Sequence, residues 1–222
     1  PWNSARTRFC LAFPDTYELG MSHLGLKVIY EVLGASDELL CERAFAPWTD
    51  LEAELRERQL PLVSLESARP LRDFDVLGFS LQFELTYTTV LAMLELGGVP
   101  LRAADRAEDH PLVLGGGPVA SHPEPVAPFF DLLLLGDAER TLPALLRADA
   151  DLRDRGASRA DRVDALGARP ELYAPARHPA AADGASQRYV VGDPEHPAVI
   201  RHWEPDLSGL PDTGGGPVPS IE

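Results

Sequence analysis

The first 150 residues alternate between short apolar runs and longer segments whose apolar positions recur with helical spacing. The apolar runs are nearly continuous, which is typical of strands buried on both faces of a parallel sheet. The predicted strands are 8–13, 39–45, 61–65, 75–82, 111–117 and 131–137. The predicted helices are 22–34, 49–58, 86–98 and 138–149. This alternation predicts an α/β fold with a doubly wound parallel sheet and right-handed crossovers.

Two of the predicted helices begin at residues that suit an N-cap. Ser22 is expected to cap the first helix, which ends at Gly34, and Thr49 with Glu52 has the spacing of a capping box. In open parallel sheets, ligands bind at the carboxyl ends of the strands, where the loops gather. The loops expected to carry function are therefore 14–23, 80–86, 115–124 and 136–139.

The alternating pattern becomes weaker after residue 150, where prolines, glycines and charged residues increase. We therefore expect a domain over 1–150 and a small irregular C-terminal extension over 151–222, with one further surface helix at 151–170. The strand-like pieces and the predicted linker of this extension cover 188–191, 198–203 and 210–222. A chain that ends on a linker is expected to continue into a further domain.

The charge balance narrows the classes of partner. The chain has 35 acidic and 20 basic residues, a formal net charge of −15, and its arginines are scattered. Nucleic acids and anionic membranes need clustered Lys and Arg, so both are disfavoured as partners. No apolar stretch suits a membrane span or a signal peptide, so we expect a cytoplasmic protein. A single lysine, Lys27, among many Arg and Ala residues is typical of a protein from a high-GC bacterium.

Neither the cysteines nor the histidines have the spacing of a metal site. Cys10 and Cys41 each lie in an apolar run and are expected to fill the core as small hydrophobic residues. No metal ligand and no catalytic residue is predicted. Five histidines form no HxxxH or HExxH set and are expected at the surface or in loops, namely His110, His122, His178, His196 and His202.

Two loops suit either a structural role or a ligand. After the first strand, Asp15 and Gly20 suit a turn, but the glycines of this loop would also permit close approach of a cofactor. Gly115–Gly117 follow an apolar strand, and three consecutive glycines suggest that a flat ligand or another backbone passes close by. These glycines lack the GxGxxG spacing of a dinucleotide site and the Gly-Lys-Ser/Thr end of a P-loop.

Three loops, taken in order, resemble the motifs of cobalamin-binding domains, which are Asp-x-His-x-x-Gly, Ser-x-Leu and Gly-Gly. Asp15–Gly20 keeps the Asp and the Gly but has Tyr17 at the histidine position. Ser80–Gln82 keeps the serine, with Gln82 in place of Leu, and Gly115–Gly117 supplies the glycine pair.

Two further segments make the resemblance more specific. The glycines are followed by Pro123-Glu124, and the strand at 131–136 leads into Asp137-Ala138-Glu139, where similar proteins read Glu-Gly-Glu. With these segments the chain is most similar to the N-terminal domain of bacterial cobalamin-binding radical S-adenosylmethionine (SAM) proteins. The resemblance covers residues 6–146.

The resemblance implies a Rossmann-like, flavodoxin-like fold with a cobalamin site at the carboxyl edge of the sheet. The candidate loops should line one depression, with the dimethylbenzimidazole tail of the cofactor against 80–84 and 115–118. The residues expected to bind the cofactor are Asp15, Tyr17, Gly20, His23, Ser80, Gln82, Glu84, Gly115, Gly116, Gly117, Pro118 and Gly136.

Tyr17 determines the expected coordination of cobalt. A phenol is a poor metal ligand at neutral pH, so no side chain is expected to bind cobalt from below. His23 lies at the first turn of a helix and is expected to make a local hydrogen bond instead. Ser80, Gln82 and Glu84 would contact amides of the corrin or its nucleotide tail, or else form a network that holds neighbouring loops.

The resemblance further implies a radical SAM catalytic domain as partner, with a 4Fe–4S cluster and SAM. That cluster needs a Cys-x-x-x-Cys-x-x-Cys motif, which these 222 residues lack. We therefore expect the chain alone to be inactive and the parent enzyme to catalyse radical methylation or a related reaction. Two alternatives stay open. Tyr17 favours a degenerate scaffold domain without a corrin, and a flavin or nucleotide site would lack a phosphate loop rich in Ser and Thr.

Overall fold

The computed structural model describes residues 2–177, 199–206 and 208. Its strands are β1 (Thr7–Phe13), β2 (Leu39–Phe45), β3 (Val76–Ser80), β4 (Leu112–Gly116), β5 (Leu132–Leu134) and β6 (Leu172–Tyr173). They form one sheet in the order β2-β1-β3-β4-β5-β6, in which β6 is antiparallel to β5 and all other neighbours are parallel. The predicted α/β fold with a mainly parallel, Rossmann-like sheet is confirmed.

Helices cover both faces of this sheet. They are α1 (Tyr17–Ser22), α2 (Leu24–Gly34), α3 (Thr49–Glu57), α4 (Tyr87–Leu96), α5 (Thr141–Asp154) and α6 (Arg159–Gly167). Helices α2, α5 and α6 pack on one face and α4 on the other. None of the helices in the described part is long and apolar enough to cross a lipid bilayer.

The strand side chains alternate between two cores. Along β1, Phe9 and Leu11 face the core under α2 and α5, whereas Cys10 and Ala12 face the core under α4. This is the two-residue period of a strand. Because the sheet is buried on both faces, its strands are continuous apolar runs rather than alternating ones.

Both predicted caps are wrong. Ser22 is the last residue of α1, and its hydroxyl donates to the carbonyl of Glu18 at 2.8 Å. His23 caps α2 instead, because its Nδ1 accepts from the backbone N–H of Leu26 at 3.2 Å. Helix α3 does begin at Thr49, but it has no side-chain cap bond. In both places the cap motif was present, and the backbone path did not bring the hydroxyl to the free amides.

Two predicted elements, one strand and one helix, also differ in extent from the structure. The strand expected at 61–65 is reduced to a single bridge between Val63 and Pro70. The helix expected at 138–149 begins later and ends later, as α5. Helix ends are set by tertiary contacts as much as by local sequence, and the last turn of α5 contacts the rest of the fold through ion pairs of Asp151 and Asp154 with Arg6 and of Arg153 with Asp75.

The described residues after residue 150 are attached to the sheet. Helix α6 lies within the predicted helical segment 151–170, and β6 extends the sheet beyond β5. His202 forms a bridge with Gly136, with His202 N–H donating to the carbonyl of Leu135 at 2.8 Å. The division at residue 150 stays a prediction. The strand-like piece at 188–191 and the linker at 210–222 lie outside the described residues.

Candidate functional site

A cleft of about 400 Å³ opens at the carboxyl end of the sheet, between the strands and helices α2 and α5. The carboxyl ends of parallel strands meet at one edge, so the connecting loops gather there and leave a crevice. The floor is formed by residues at or near the ends of four strands, and the walls by α2 and α5. The floor residues are Leu11, Ser80, Gly116 and Leu134, and the wall residues are Gly25, Ile29 and Leu142.

Gly116 keeps the floor of the cleft open. It pairs with Ser80 across β3 and β4, so both residues face the cleft. A Cβ atom on Gly116 would meet nothing closer than the carbonyl oxygen of Leu134, at 3.9 Å. Its backbone does not need the left-handed conformations that favour glycine. Packing therefore does not explain this glycine, and the space before it is available to a ligand.

The neighbouring glycines are explained by packing. A Cβ on Gly115 would lie 3.1 Å from the ring of Phe130 on the opposite face of the sheet. Gly117 has φ +104° and ψ −177°, a conformation adopted almost only by glycine, and its Cβ would lie 2.6 Å from the Leu81 oxygen. Gly136 has φ +105° and lies against the backbone of His202. Among these four glycines, Gly116 is the one with room for a side chain.

A chain of hydrogen bonds crosses the mouth of the cleft. His23 Nδ1 accepts from the Leu26 amide, so the neutral ring carries its proton on Nε2, which donates to Gln82 Oε1 at 3.1 Å. Gln82 Nε2 then donates to the Ser80 hydroxyl oxygen at 2.8 Å. The hydroxyl proton of Ser80 has no acceptor among the described residues. The direction of the chain therefore makes Ser80 a donor toward the cleft.

The charged groups of the cleft lie on the loop before α5 and on the segment after residue 198. Asp137 Oδ2 accepts from the Glu204 amide at 2.9 Å, which ties this segment to the loop. Glu139 lines the cleft, and its Oε2 is buried without a hydrogen-bond partner in the described structure. Arg201 lies exposed at the rim.

The comparison with protein families identifies the chain. A family model described as radical SAM proteins, N-terminal, matches residues 25–175, which span α2 to β6 and contain the Ser80, Gly116 and Glu139 part of the cleft. The chain belongs to this family. No curated protein and no solved structure matches it. The predicted link to radical SAM proteins is confirmed, and cobalamin binding stays a prediction.

Most of the predicted site residues of this radical SAM N-terminal domain lie together. The loops after β3 and β4, the start of α2 and the turn after β5 converge on the cleft, although they come from distant parts of the chain. The predicted residues that line it are His23, Ser80, Gln82, Gly115, Gly116, Gly117, Pro118 and Gly136.

The first predicted motif does not line the cleft, so the expectation of one depression is wrong for Asp15, Tyr17 and Gly20. Asp15 Oδ1 accepts from the Thr16 amide at 2.8 Å and shapes the turn. A Cβ on Gly20 would collide with the ring of Phe45, so close packing explains this glycine. These residues lie at or within α1, which directs them toward β2 rather than β3. Glu84 is exposed in a short 3-10 turn outside the cleft.

Tyr17 lines a second, apolar groove instead. Its ring contacts Phe45 edge-on, with ring centroids 5.4 Å apart, and it is 45% exposed. Trp48 and Leu65 lie in the same groove, which runs beside the edge strand β2. Tyr17, which stands at the histidine position of the cobalamin motif, therefore belongs to a different surface of the radical SAM N-terminal domain.

Sequence reasoning left three charged residues of the cleft out of the predicted site, namely Asp137, Glu139 and Arg201, and the last two show why. Glu139 lies in a loop that the strand pattern marks as functional, so the position was predictable and the unpartnered carboxylate was not. Arg201 lies in the strand-like piece predicted at 198–203, and no local motif connects it to the cleft. Both depend on which loops meet in space.

No group of three or more His, Cys, Asp or Glu side chains suited to a metal ion occurs in the described structure. His110 Nδ1 accepts from the Ala107 amide, as expected of a loop histidine, whereas His178 and His196 lie outside the described residues. Cys10 and Cys41 are buried, and burial raises the pKa of both thiols. Neutral buried thiols fill the core as small apolar groups.

Proposed function

We propose that this radical SAM N-terminal domain binds cobalamin, with the nucleotide tail of the cofactor in the cleft, and holds it for a radical SAM catalytic domain of the parent protein. The observation that carries this proposal is Gly116. It leaves open space at the carboxyl edge of the sheet where no packing constraint requires a glycine.

The residues of the cleft fit the tail of cobalamin. Phe9, Leu11 and Leu114 supply apolar surface for a flat aromatic base, and Ser80 supplies a donor for a ring nitrogen. A volume of about 400 Å³ is at the small end for ligand sites, so it suits a nucleotide and not the whole cofactor. The corrin would then lie outside the cleft. When bound, cobalamin supplies a cobalt centre for group transfer.

We expect no side chain of this domain to coordinate the cobalt. Both ring nitrogens of His23 are used, Nδ1 by the Leu26 amide and Nε2 by Gln82. Tyr17 lies in the second groove, away from the cleft. The role of His23 is to cap α2 and to orient Gln82, which in turn orients the Ser80 hydroxyl.

A scaffold function without a corrin is the second candidate, and the apolar groove beside β2 favours it. Trp48 is 66% exposed there, and Tyr17 and Leu65 extend the same surface. Large exposed apolar side chains in one place are typical of a protein-binding surface. A flavin nucleotide or free nucleotide fits less well, because its phosphomonoester or diphosphate would carry more negative charge near Glu139 than the single phosphodiester of the cobalamin tail does.

The test is the absorption spectrum of the purified chain after incubation with hydroxocobalamin and desalting. We expect a corrin band to travel with the protein. Gly116→Leu should abolish it, because the new side chain fills the cleft without a backbone clash. Gly34→Leu is the matched control, since a Cβ at Gly34 also meets nothing within 4 Å and this residue lies outside the cleft. No corrin band with the wild-type chain would favour the scaffold function.

A further inference from the structure

The Oε2 atom of Glu139 is the one buried side-chain polar atom of the cleft lining that has no hydrogen-bond partner in the described structure. The nearby Asp137 differs, since its Oδ2 accepts from the Glu204 amide. The cation next in sequence, Arg140, pairs with Glu204 at 3.1 Å. Arg201, a cation of the cleft, lies exposed at the rim, and no described ion pair joins it to Glu139. The donor to Glu139 Oε2 is therefore not supplied by the described residues.

A buried carboxylate oxygen without a donor is costly, because it has lost its bonds to water and gained none in return. Such a group is rare in folded proteins, and where it occurs it commonly meets a bound ligand or an ordered water, or takes part in catalysis. Because Glu139 lines the cleft, a ligand in the cleft can reach it. The partner must be an N–H or O–H donor, and it must not be a phosphate oxygen, which would repel the carboxylate.

We infer that Glu139 accepts a hydrogen bond from a ribose hydroxyl of the ligand, and that this bond selects the nucleoside of the tail. The inference rests on the proposed function, which puts the tail in the cleft. Carboxylates recognise ribose in this way at the same edge of other doubly wound sheets, where an acidic side chain bonds a hydroxyl and excludes a phosphate. The apolar walls hold the base, Ser80 donates to it, and Glu139 accepts from the sugar.

The test separates the donors of the tail from those of the corrin. Three probes are titrated by calorimetry into the wild-type chain: hydroxocobalamin, α-ribazole, which is the nucleoside of the tail, and cobinamide, which has the corrin amides and no tail. Glu139→Leu should bind hydroxocobalamin and α-ribazole about 10- to 100-fold more weakly, because a bond to a charged acceptor is lost. Cobinamide binding should not change.

Two further variants make the result specific. Glu139→Gln keeps an acceptor without the charge and should lie between the wild type and Glu139→Leu. Glu57→Leu replaces an exposed glutamate on α3, outside the cleft, and should bind all probes as the wild type does. Thermal unfolding without ligand gives an independent readout. Glu139→Leu should raise Tm by roughly 2–4 °C, because the unpaired buried oxygen is removed.

The outcomes distinguish the inference from the proposed function. If the wild type binds hydroxocobalamin and Glu139→Leu binds it equally well, the role of Glu139 is overturned and cobalamin binding stands. If Glu139→Leu weakens cobinamide as well, the donor is a corrin amide and not the ribose, which overturns the inference. A lower Tm would make Glu139 a structural residue. Wild-type protein that binds none of the probes overturns both proposals.

Discussion

The two ends of the sheet differ in whether their buried polar groups have hydrogen-bond partners among the described residues. At the carboxyl end, the described part of the cleft contains an open glycine, Gly116, a Ser80 hydroxyl that donates toward the cleft and an unpartnered carboxylate oxygen on Glu139. At the amino end of β5, Asp131 is buried and its Oδ2 accepts three hydrogen bonds. Among the described residues, the chain itself supplies hydrogen-bond donors to Asp131 at the amino end, but it supplies none to Glu139 Oε2 at the carboxyl end.

The amino end shows how fully this fold can satisfy buried charge. Arg106 and Arg159 donate to Asp131 at 2.9 and 2.6 Å, and the Val113 amide donates to it at 2.6 Å. The two guanidinium groups also donate to backbone carbonyls, including that of Phe129. Burial lowers the pKa of Arg106, which the Asp131 charge opposes.

The difference between the two ends separates groups that stabilise the fold from groups that are suited to bind a ligand. A buried network with every partner present holds elements together, whereas unmet groups beside open space are suited to a ligand. The same chain contains both kinds of site, so the groups of the cleft without a partner do not reflect poor packing of the whole fold. Four experiments test this contrast, and they follow in order of expected effect.

Replacing Asp131 should have the largest effect. Asp131→Ala leaves two buried guanidinium groups without their carboxylate, and breaking such an arrangement costs about 3–5 kcal/mol in the free energy of unfolding. Urea denaturation measures the loss. Asp109→Ala is the control, because the side chain of Asp109 is 87% exposed and its removal should be nearly neutral. A loss for Asp131→Ala as small as that of the control would contradict the structural role of the network.

The adjacent glycines Gly116 and Gly117 should respond in opposite directions. Gly117→Ala should lower the free energy of unfolding by about 1–3 kcal/mol or more, because its backbone conformation excludes a side chain. Gly116→Ala should raise it by about 0.4–1 kcal/mol, since alanine fits and reduces the freedom of the unfolded chain. Urea denaturation of both variants measures the two effects. Equal losses at both positions would mean that Gly116 is also needed for packing.

His23→Ala and Ser22→Ala compare the observed cap of α2 with the one that the sequence predicts. His23→Ala should cost about 1 kcal/mol, because the Leu26 amide loses its acceptor, whereas Ser22→Ala should cost clearly less. If cobalamin binds, its spectrum should be almost the same in His23→Ala as in the wild type. A shift from a nitrogen-ligated to an unligated spectrum would falsify the cap assignment and make His23 the lower ligand.

The smallest effect concerns the exposed start of α6. Hydrogen bonds from the Ser158 hydroxyl and amide lower the pKa of Asp161 below its usual value. A carboxyl whose pKa is lower in the folded state stabilises above its unfolded pKa and loses that contribution as pH falls through the folded value. The stability advantage of the wild type over Asp161→Asn should therefore shrink below about pH 4. An advantage that stays constant between about pH 6 and pH 3 would show that the charge of Asp161 is not involved.

The architecture was predictable from short-range patterns in the sequence. The apolar runs that became β1, β3 and β4 are buried on both faces, and this burial is itself visible as a continuous apolar run. The glycines at 115–117 and Ser80 follow such runs, so their place at the carboxyl edge was predictable from the order of the elements. The link to radical SAM proteins also came from these segments.

Which of those residues line the cleft was not predictable from local sequence and depends on the three-dimensional packing. Asp15, Tyr17 and Gly20 have the spacing of a cofactor motif, but α1 turns them toward β2, and a motif cannot specify the direction of the helix that follows it. The role of Gly116 depends on the absence of a close packing neighbour in the described structure, and the role of Glu139 on the absence of a hydrogen-bond donor there. Such absences result from contacts between residues far apart in the chain, and no local pattern of side chains encodes them.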